Sequence, residues 1–323
     1  MIHIVTLFGL TYANRGLAMI ESIKRFNSSS VKFTILAMDD FTFNFLKFSK
    51  IENLDVLHFQ EFQDFDFRKL VGVRQFKELC WTAASCITRS IYESDLESDF
   101  IVYVDSDCYF FADISKMIDK WDKNANIFIH EHRYSPSRIA WESTSGRFNV
   151  GVIGFRGNNS EARSCLDRWR LQVLESCELD PNKGLCGDQG YLNEWPLIYP
   201  GLHIMTSAGE GAAPWNIEPL QASRDQQQIL VDGQELIFYH FHALKLGVNK
   251  KLRILCDRLA HGYSVPNSFR KHVYRPYLRH LRKMNKKLLS ANFNFSEIGI
   301  SELSAKEFIL GGAPKQQLIQ LLL

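Results

Sequence analysis

The sequence lacks the marks of membrane, disulfide-bonded and repeat proteins. No run of about eighteen apolar residues occurs, so the sequence offers no transmembrane helix. The opening stretch, MIHIVTLFGL, has no basic leader and no small-residue cleavage site. It reads as the first strand of a mature cytosolic protein. Seven cysteines include no CxxC pair, and an odd number without a framework points to reduced thiols packed as small core residues. There are no internal repeats and no low-complexity tracts. The N-terminal GLTYANRG is a poor match to a glycine-rich phosphate loop, which counts against phosphoryl or nucleotidyl transfer built on one.

Apolar residues are not in short supply. Hydrophobic residues make up 46% of the 323 positions and charged residues 23%, an ordinary globular balance. The net charge is only +2, but it is unevenly placed. Residues 245–287 hold thirteen Lys or Arg and one acid, Asp257, leaving 25 basic against 35 acidic residues elsewhere. A basic C-terminal segment of this kind suits an anionic surface. It does not suit nucleic acid, because no aromatic platform or groove motif accompanies the charge.

Short apolar runs alternate with amphipathic stretches, as in a wound α/β sheet. IHIVTLF (2–8), KFTILAM (32–38), LDVLHF (54–59), FIVYV (100–104) and NIFIH (126–130) read as strands. Residues 15–26, 73–94, 114–121 and 160–178 read as helices, and Trp81, Trp121 and Trp169 on them as packing residues. RFNVGVIGFRG (147–157) reads as a strand whose glycines admit a close neighbour. GDQGYLNEW (187–195) reads as a short helix, and residues 201–217 as a long functional loop. QELIFYHFHALK (234–245) reads as a final strand. The expected organisation is an α/β body over 1–248 and a helical basic extension over 249–323. In that extension Val273, Tyr277, Leu281, Met284 and Leu288 form one helical stripe, and Pro276 fits the helix start.

The chemistry concentrates where FIVYV ends in Asp105-Ser106-Asp107. Ligands of open parallel sheets bind beyond the carboxyl ends of strands. Two carboxylates at such an end repel one another unless a cation sits between them. A divalent metal there could clamp a diphosphate and help it leave. His240 and His242 follow the strand LIFY and share a face by alternation. An Asp, Asp, His set suits Mn²⁺ or Mg²⁺ better than Ca²⁺.

Five motifs in order, VYVDSD, RFNVGVIGF, CGDQGYLNEWP, APWN and FYHFHALK, resemble the GT-A glycosyltransferases. The likeness is to the glycogenin-like retaining group and its uncharacterised bacterial relatives, over roughly residues 1–248. The resemblance implies a GT-A fold, a Rossmann-like, mainly parallel sheet flanked by helices. It implies transfer of a sugar from a nucleotide-diphosphate sugar, UDP-linked, to an acceptor hydroxyl, with retention. Asp105 and Asp107 would hold the metal, Asp105 also touching the ribose. His240 would be the third ligand, with His242 the alternative register. Asn149 would bond the donor sugar, and Asp188 and Gln189 would sit beside its reacting carbon. Thr6, Tyr12 and Asn14 would hold base and ribose. Ser106 would turn the chain between the aspartates, and Lys245 would lie near the diphosphate.

Two departures concern the phosphates. The family's Lys or Arg some thirty residues before the aspartates has no counterpart at the expected place in WTAASCITR, leaving Arg74 and Lys77 as the candidates. The Lys-Pro-Trp after the family's histidine is also missing, since Lys245 is followed by Leu246 and Gly247. The implied setting is cytoplasmic, peripheral at the inner membrane face through 270–288, with a saccharide or glycolipid acceptor in cell-surface polysaccharide synthesis. The rival readings are a metal-dependent phosphoryl or nucleotidyl enzyme and a noncatalytic nucleotide-sugar binder.

Overall fold

The computed structural model describes residues 1–26, 31–180, 185–249, 254–259, 262–302 and 317–322. The strands β1 (Ile2–Phe8), β2 (Val31–Ala37), β3 (Leu54–His58), β4 (Phe100–Val104), β5 (Cys108–Phe110), β6 (Ile127–Glu131) and β7 (Phe148–Arg156) come in that order. The chain divides into two compact units. One comprises Met1–Gly9, Asn27–Ser106 and Ser115–Thr206; the other comprises Leu10–Phe26, Asp107–Ile114 and Ser207–Leu323.

The first unit is built on a seven-stranded sheet in the order Leu202–Met205, β6, β7, β4, β1, β2, β3. Its strands are parallel except β7, which runs antiparallel to both neighbours. β1 is buried along its whole length and β4 from Ile101 to Val104, as strands covered on both faces must be. The long helix Phe76–Ser94 packs on β1 and on the helix Ser160–Glu175. Gly154 in β7 makes room for the Trp121 ring, since an added Cβ would lie 2.6 Å from it. Trp121 in turn stacks on Phe128 with ring centroids 3.8 Å apart.

In the second unit the helix Ala13–Lys24 packs against the C-terminal helix Arg275–Ser290. The stripe legible in the sequence is the face that does this: Tyr277, Leu281, Met284 and Leu288 are all fully buried. Glu21 reaches across to His280 at 3.0 Å and Lys283 at 2.8 Å. Pro276 falls in the first turn of the α segment Arg275–Ser290, as the sequence suggests. Helical backbone runs from Asn267 through a π turn at Arg270–Tyr274, and Pro276 follows as the second residue of the α segment. A proline ring clashes with the carbonyl four residues earlier and gives no N–H, and a π turn accommodates both defects. The region after 248 is also not helix alone. Leu244–Asn249 pairs with Ile254–Leu259 and Ile300–Glu302, and Gln317–Leu322 closes the edge.

The docked stripe makes a stability prediction. Leu281→Ala removes a fully buried side chain. It is expected to cost roughly 2–5 kcal/mol in urea unfolding followed by circular dichroism. Arg279→Ala, on the exposed side, should shift the midpoint little.

Candidate active site

The first unit brings together residues far apart in sequence. β4 continues its ladder one residue beyond Val104, since the Asp105 N–H donates to the Gly151 carbonyl at 2.8 Å. Alternation puts Tyr103 on the same side as Asp105, and its hydroxyl donates to Asp105 Oδ1 at 2.9 Å. Asn149 and Gln189, forty residues apart, meet: the Asn149 amide donates to Gln189 Oε1 at 3.2 Å. The same amide lies 3.3 Å from His132 Nε2, while Asn149 Oδ1 accepts from the Gly151 N–H at 2.9 Å. Gln189 donates to the Ser145 carbonyl at 2.8 Å, so both ends of its side chain are held.

Asp188 is 6% exposed. Its backbone carbonyl accepts from Trp169 Nε1 at 3.0 Å. Burial pushes its carboxyl well above the usual carboxylate range, and the like charge of Asp105 pushes it further. The Tyr103 phenol is raised for the same reasons, burial first and then Asp105 and Asp188.

The second unit supplies a histidine–carboxylate pair. β5 pairs antiparallel with the strand Phe238–His240, His240 opposite Cys108, and the Phe241 N–H donates to the Asp107 carbonyl at 2.9 Å. This ladder sets His240 Nε2 3.1 Å from Asp107 Oδ1. Burial opposes ionisation of Asp107, but the nearby charges of His240, His242 and Arg15 outweigh it and hold its carboxyl below the ordinary range. The APWN motif joins the group, as the His240 N–H donates to the Ala212 carbonyl at 2.9 Å. Trp215 then lies edge-on to both imidazoles, at 5.2 Å from His240 and 5.4 Å from His242. The strand expected over 234–245 is three pieces, Gln234–Glu235, Phe238–His240 and Leu244–Asn249. Ala243, at φ 59°, turns the chain between the last two, a conformation its sequence does not advertise.

Asp105 and Asp107 are separated by one residue, Ser106. One carboxylate oxygen from each and a ring nitrogen of His240 lie within 4.8 Å of one another, a group that could hold a metal ion. Two hard oxygens and one imidazole nitrogen fit Mn²⁺ or Mg²⁺. Ser106, between the aspartates, is 8% exposed.

The remaining sequence-assigned residues are placed as follows. Thr6 is fully buried in β1, its hydroxyl without a hydrogen-bond partner among the described residues. Tyr12 is 38% exposed, with the Arg15 guanidinium 4.7 Å from its ring centre. Lys245 is exposed. Asn14 is fully buried, and its amide donates to Asn285 Oδ1 at 2.9 Å and to the Ile298 carbonyl at 3.2 Å. Those bonds commit it to the interior. Arg74 donates to the Val173 and Leu174 carbonyls at 2.7 and 2.6 Å, capping a helix C-terminus. Lys77 lies over the Trp81 ring at 4.4 Å. Sequence reasoning missed Tyr103, His132 and Arg15. Alternation in VYVDSD could have found the first; nothing local marks the other two.

No protein-family model matches the chain. It is 26% identical over 298 residues to the uncharacterized protein YfnD of Bacillus subtilis (strain 168), covering 91% of this chain and 93% of that protein. It is 28% identical over 238 residues to YfnF of the same organism, covering 72% and 78%. Among solved structures it resembles a galactosyltransferase, LgtC, in complex with donor and acceptor sugar analogues. The TM-score is 0.53 at 11% identity, covering 88% of this chain and 95% of that one. The mainly parallel seven-stranded sheet flanked by helices has the GT-A glycosyltransferase fold.

Proposed function

We propose that this protein is a metal-dependent glycosyltransferase of the glycogenin-like group. It moves a hexosyl group from a nucleotide-diphosphate sugar, UDP-linked, to an acceptor hydroxyl with retention. The observation that carries the reading is the group of Asp105, Asp107 and His240 on a GT-A fold. A divalent cation held by those three would supply the positive charge that a departing diphosphate needs. His242 stands beside His240 as a further imidazole, ring centroids 5.8 Å apart.

The chain's own residues then divide the work. Tyr103 orients Asp105 through its hydroxyl. Asn149 and Gln189, each held at both ends, present fixed polar atoms to the donor sugar. Asp188, its carboxyl pushed well above the usual range by burial and then by Asp105, stands beside the reacting carbon of the donor sugar. Thr6 and Tyr12 flank base and ribose, and Lys245 and Ser106 meet the diphosphate. The acceptor is a saccharide or glycolipid of the cell surface. No described helix is long and apolar enough to cross a membrane. Contact with a membrane rests on charge instead, because the apolar stripe of the C-terminal helix is buried. Arg275, Arg279, Lys283, Lys286 and Lys287 remain exposed along its other side.

Three measurements test this. Asp107→Ala should abolish Mn²⁺-dependent release of UDP from UDP-sugars, as should chelation with EDTA. Mass spectrometry of products from a panel of nucleotide sugars identifies the donor, and full turnover by the variant overturns the metal assignment. The second concerns pH in EDTA-treated protein. A carboxyl with a raised folded pKa loses stability as pH rises above its unfolded value near 3.9. Asp188→Asn should therefore melt higher than wild type at pH 7. The gap should shrink toward pH 4 by up to about 1.4 kcal/mol per pH unit. Third, the protein should float with vesicles rich in anionic lipid at low salt and dissociate at about 0.5 M salt, where screening is nearly complete.

A further inference from the structure

The two-stranded ladder of Cys108–Phe110 and Phe238–His240, beside Asp107, has two faces. His240 and His242 lie on one, with Trp215. Tyr239 and Phe241 lie on the other, against the C-terminal helical segment. Phe241 stacks on Tyr277 with centroids 3.7 Å apart and planes 17° from parallel. The Tyr239 and Tyr274 hydroxyls are 2.9 Å apart. On the paired strand, the Tyr109 hydroxyl lies 2.9 Å from His280 Nδ1.

A polar chain runs from the same helix to the end of the histidine-bearing turn. Asn285 Oδ1 accepts from Asn14 Nδ2, and Asn14 Oδ1 accepts from Arg15 Nη1 at 3.1 Å. Arg15 Nη2 donates to the Leu244 carbonyl at 3.0 Å, one residue past the Ala243 turn. Arg15 is 4% exposed, so its charge sits in the interior. It acts on Asp107 and on the Tyr277 phenol, whose hydroxyl is fully buried and has no hydrogen-bond partner among the described residues.

We infer that Arg15, held by Asn14 and Asn285, is a positioning residue for the Asp107–His240 pair, and that the C-terminal helix 275–290 is part of that site's support. Arg15 fixes the far end of the turn through the Leu244 carbonyl. The stacked Tyr277 and Phe241 fix the strand from below. This rests on the metal reading above. It also carries the working part of the protein past residue 248.

The test is Mn²⁺ binding to the full chain in the presence of UDP, read by electron paramagnetic resonance of free Mn²⁺ and by quenching of tryptophan fluorescence. Outer partners of metal ligands are worth about 10–100-fold in metal affinity. Arg15→Met should weaken Mn²⁺ binding about tenfold or more, Arg15→Lys less, and Asn285→Ala in the same direction from two links away. Exposed Arg279→Ala should leave it unchanged. Circular dichroism checks that each variant is folded, and Asn285→Ala serves if Arg15→Met is not. Folded Arg15 and Asn285 variants that bind Mn²⁺ as wild type does would overturn the inference alone. Wild-type protein that takes up no Mn²⁺ would overturn the metal reading, and the inference with it.

Discussion

A carboxylate and an imidazole 3.1 Å apart, Asp107 and His240, set the terms for the rest of the second unit. His240 is 3% exposed, so the pair is formed with little help from water. A buried ionised carboxylate is tolerated only when partnered. The partners are delivered by backbone. The β5 ladder fixes His240, the Phe241 N–H fixes the Asp107 carbonyl, and the Ala212 carbonyl receives the His240 N–H. Side-chain chemistry here depends on three main-chain hydrogen bonds more than on any packing preference of histidine.

Half-buried Asp107 and buried Asp188 show how surroundings divide the same functional group. Asp107 is held down by the nearby positive charges of histidine and arginine side chains. Asp188 is pushed up by burial and by the like charge of Asp105. Cys80 responds to the same field, its thiol pushed up to about 12 by burial and then by Asp105 and Asp188.

The strand framework was legible because buried strands leave a local mark. The run Ile101–Val104 ending in two aspartates located β4 to the residue, and RFNVGVIGF located β7 within one residue at each end. What needed the structure was contact between distant segments. Asn149 and Gln189 are separate motifs on the page and hydrogen-bonded in space. The break at Ala243 was hidden because alanine carries no turn signal. Pro276 marked the start of the α segment but not of the helical backbone that precedes it. A proline marks a helix start unless the backbone before it winds wider, and the residues 270–274 do so. Arg15 could not be read at all. An arginine in an amphipathic stretch is ordinarily solvated, and its burial depends on Leu244, more than two hundred positions away.

The C-terminal helix shows why one polar residue belongs in an apolar stripe. Tyr277, Leu281, Met284 and Leu288 would pack acceptably in more than one register, since hydrophobic contact is not directional. Asn285 removes that freedom. Its oxygen accepts from the Asn14 amide, and a slip along the helix would break this bond between two buried side chains, at a cost of about 1–3 kcal/mol. Register fixed at Asn285 places Tyr277 two turns earlier beneath Phe241, and Phe241 adjoins His240 in the chain. The apolar stripe supplies adhesion and the asparagine supplies alignment.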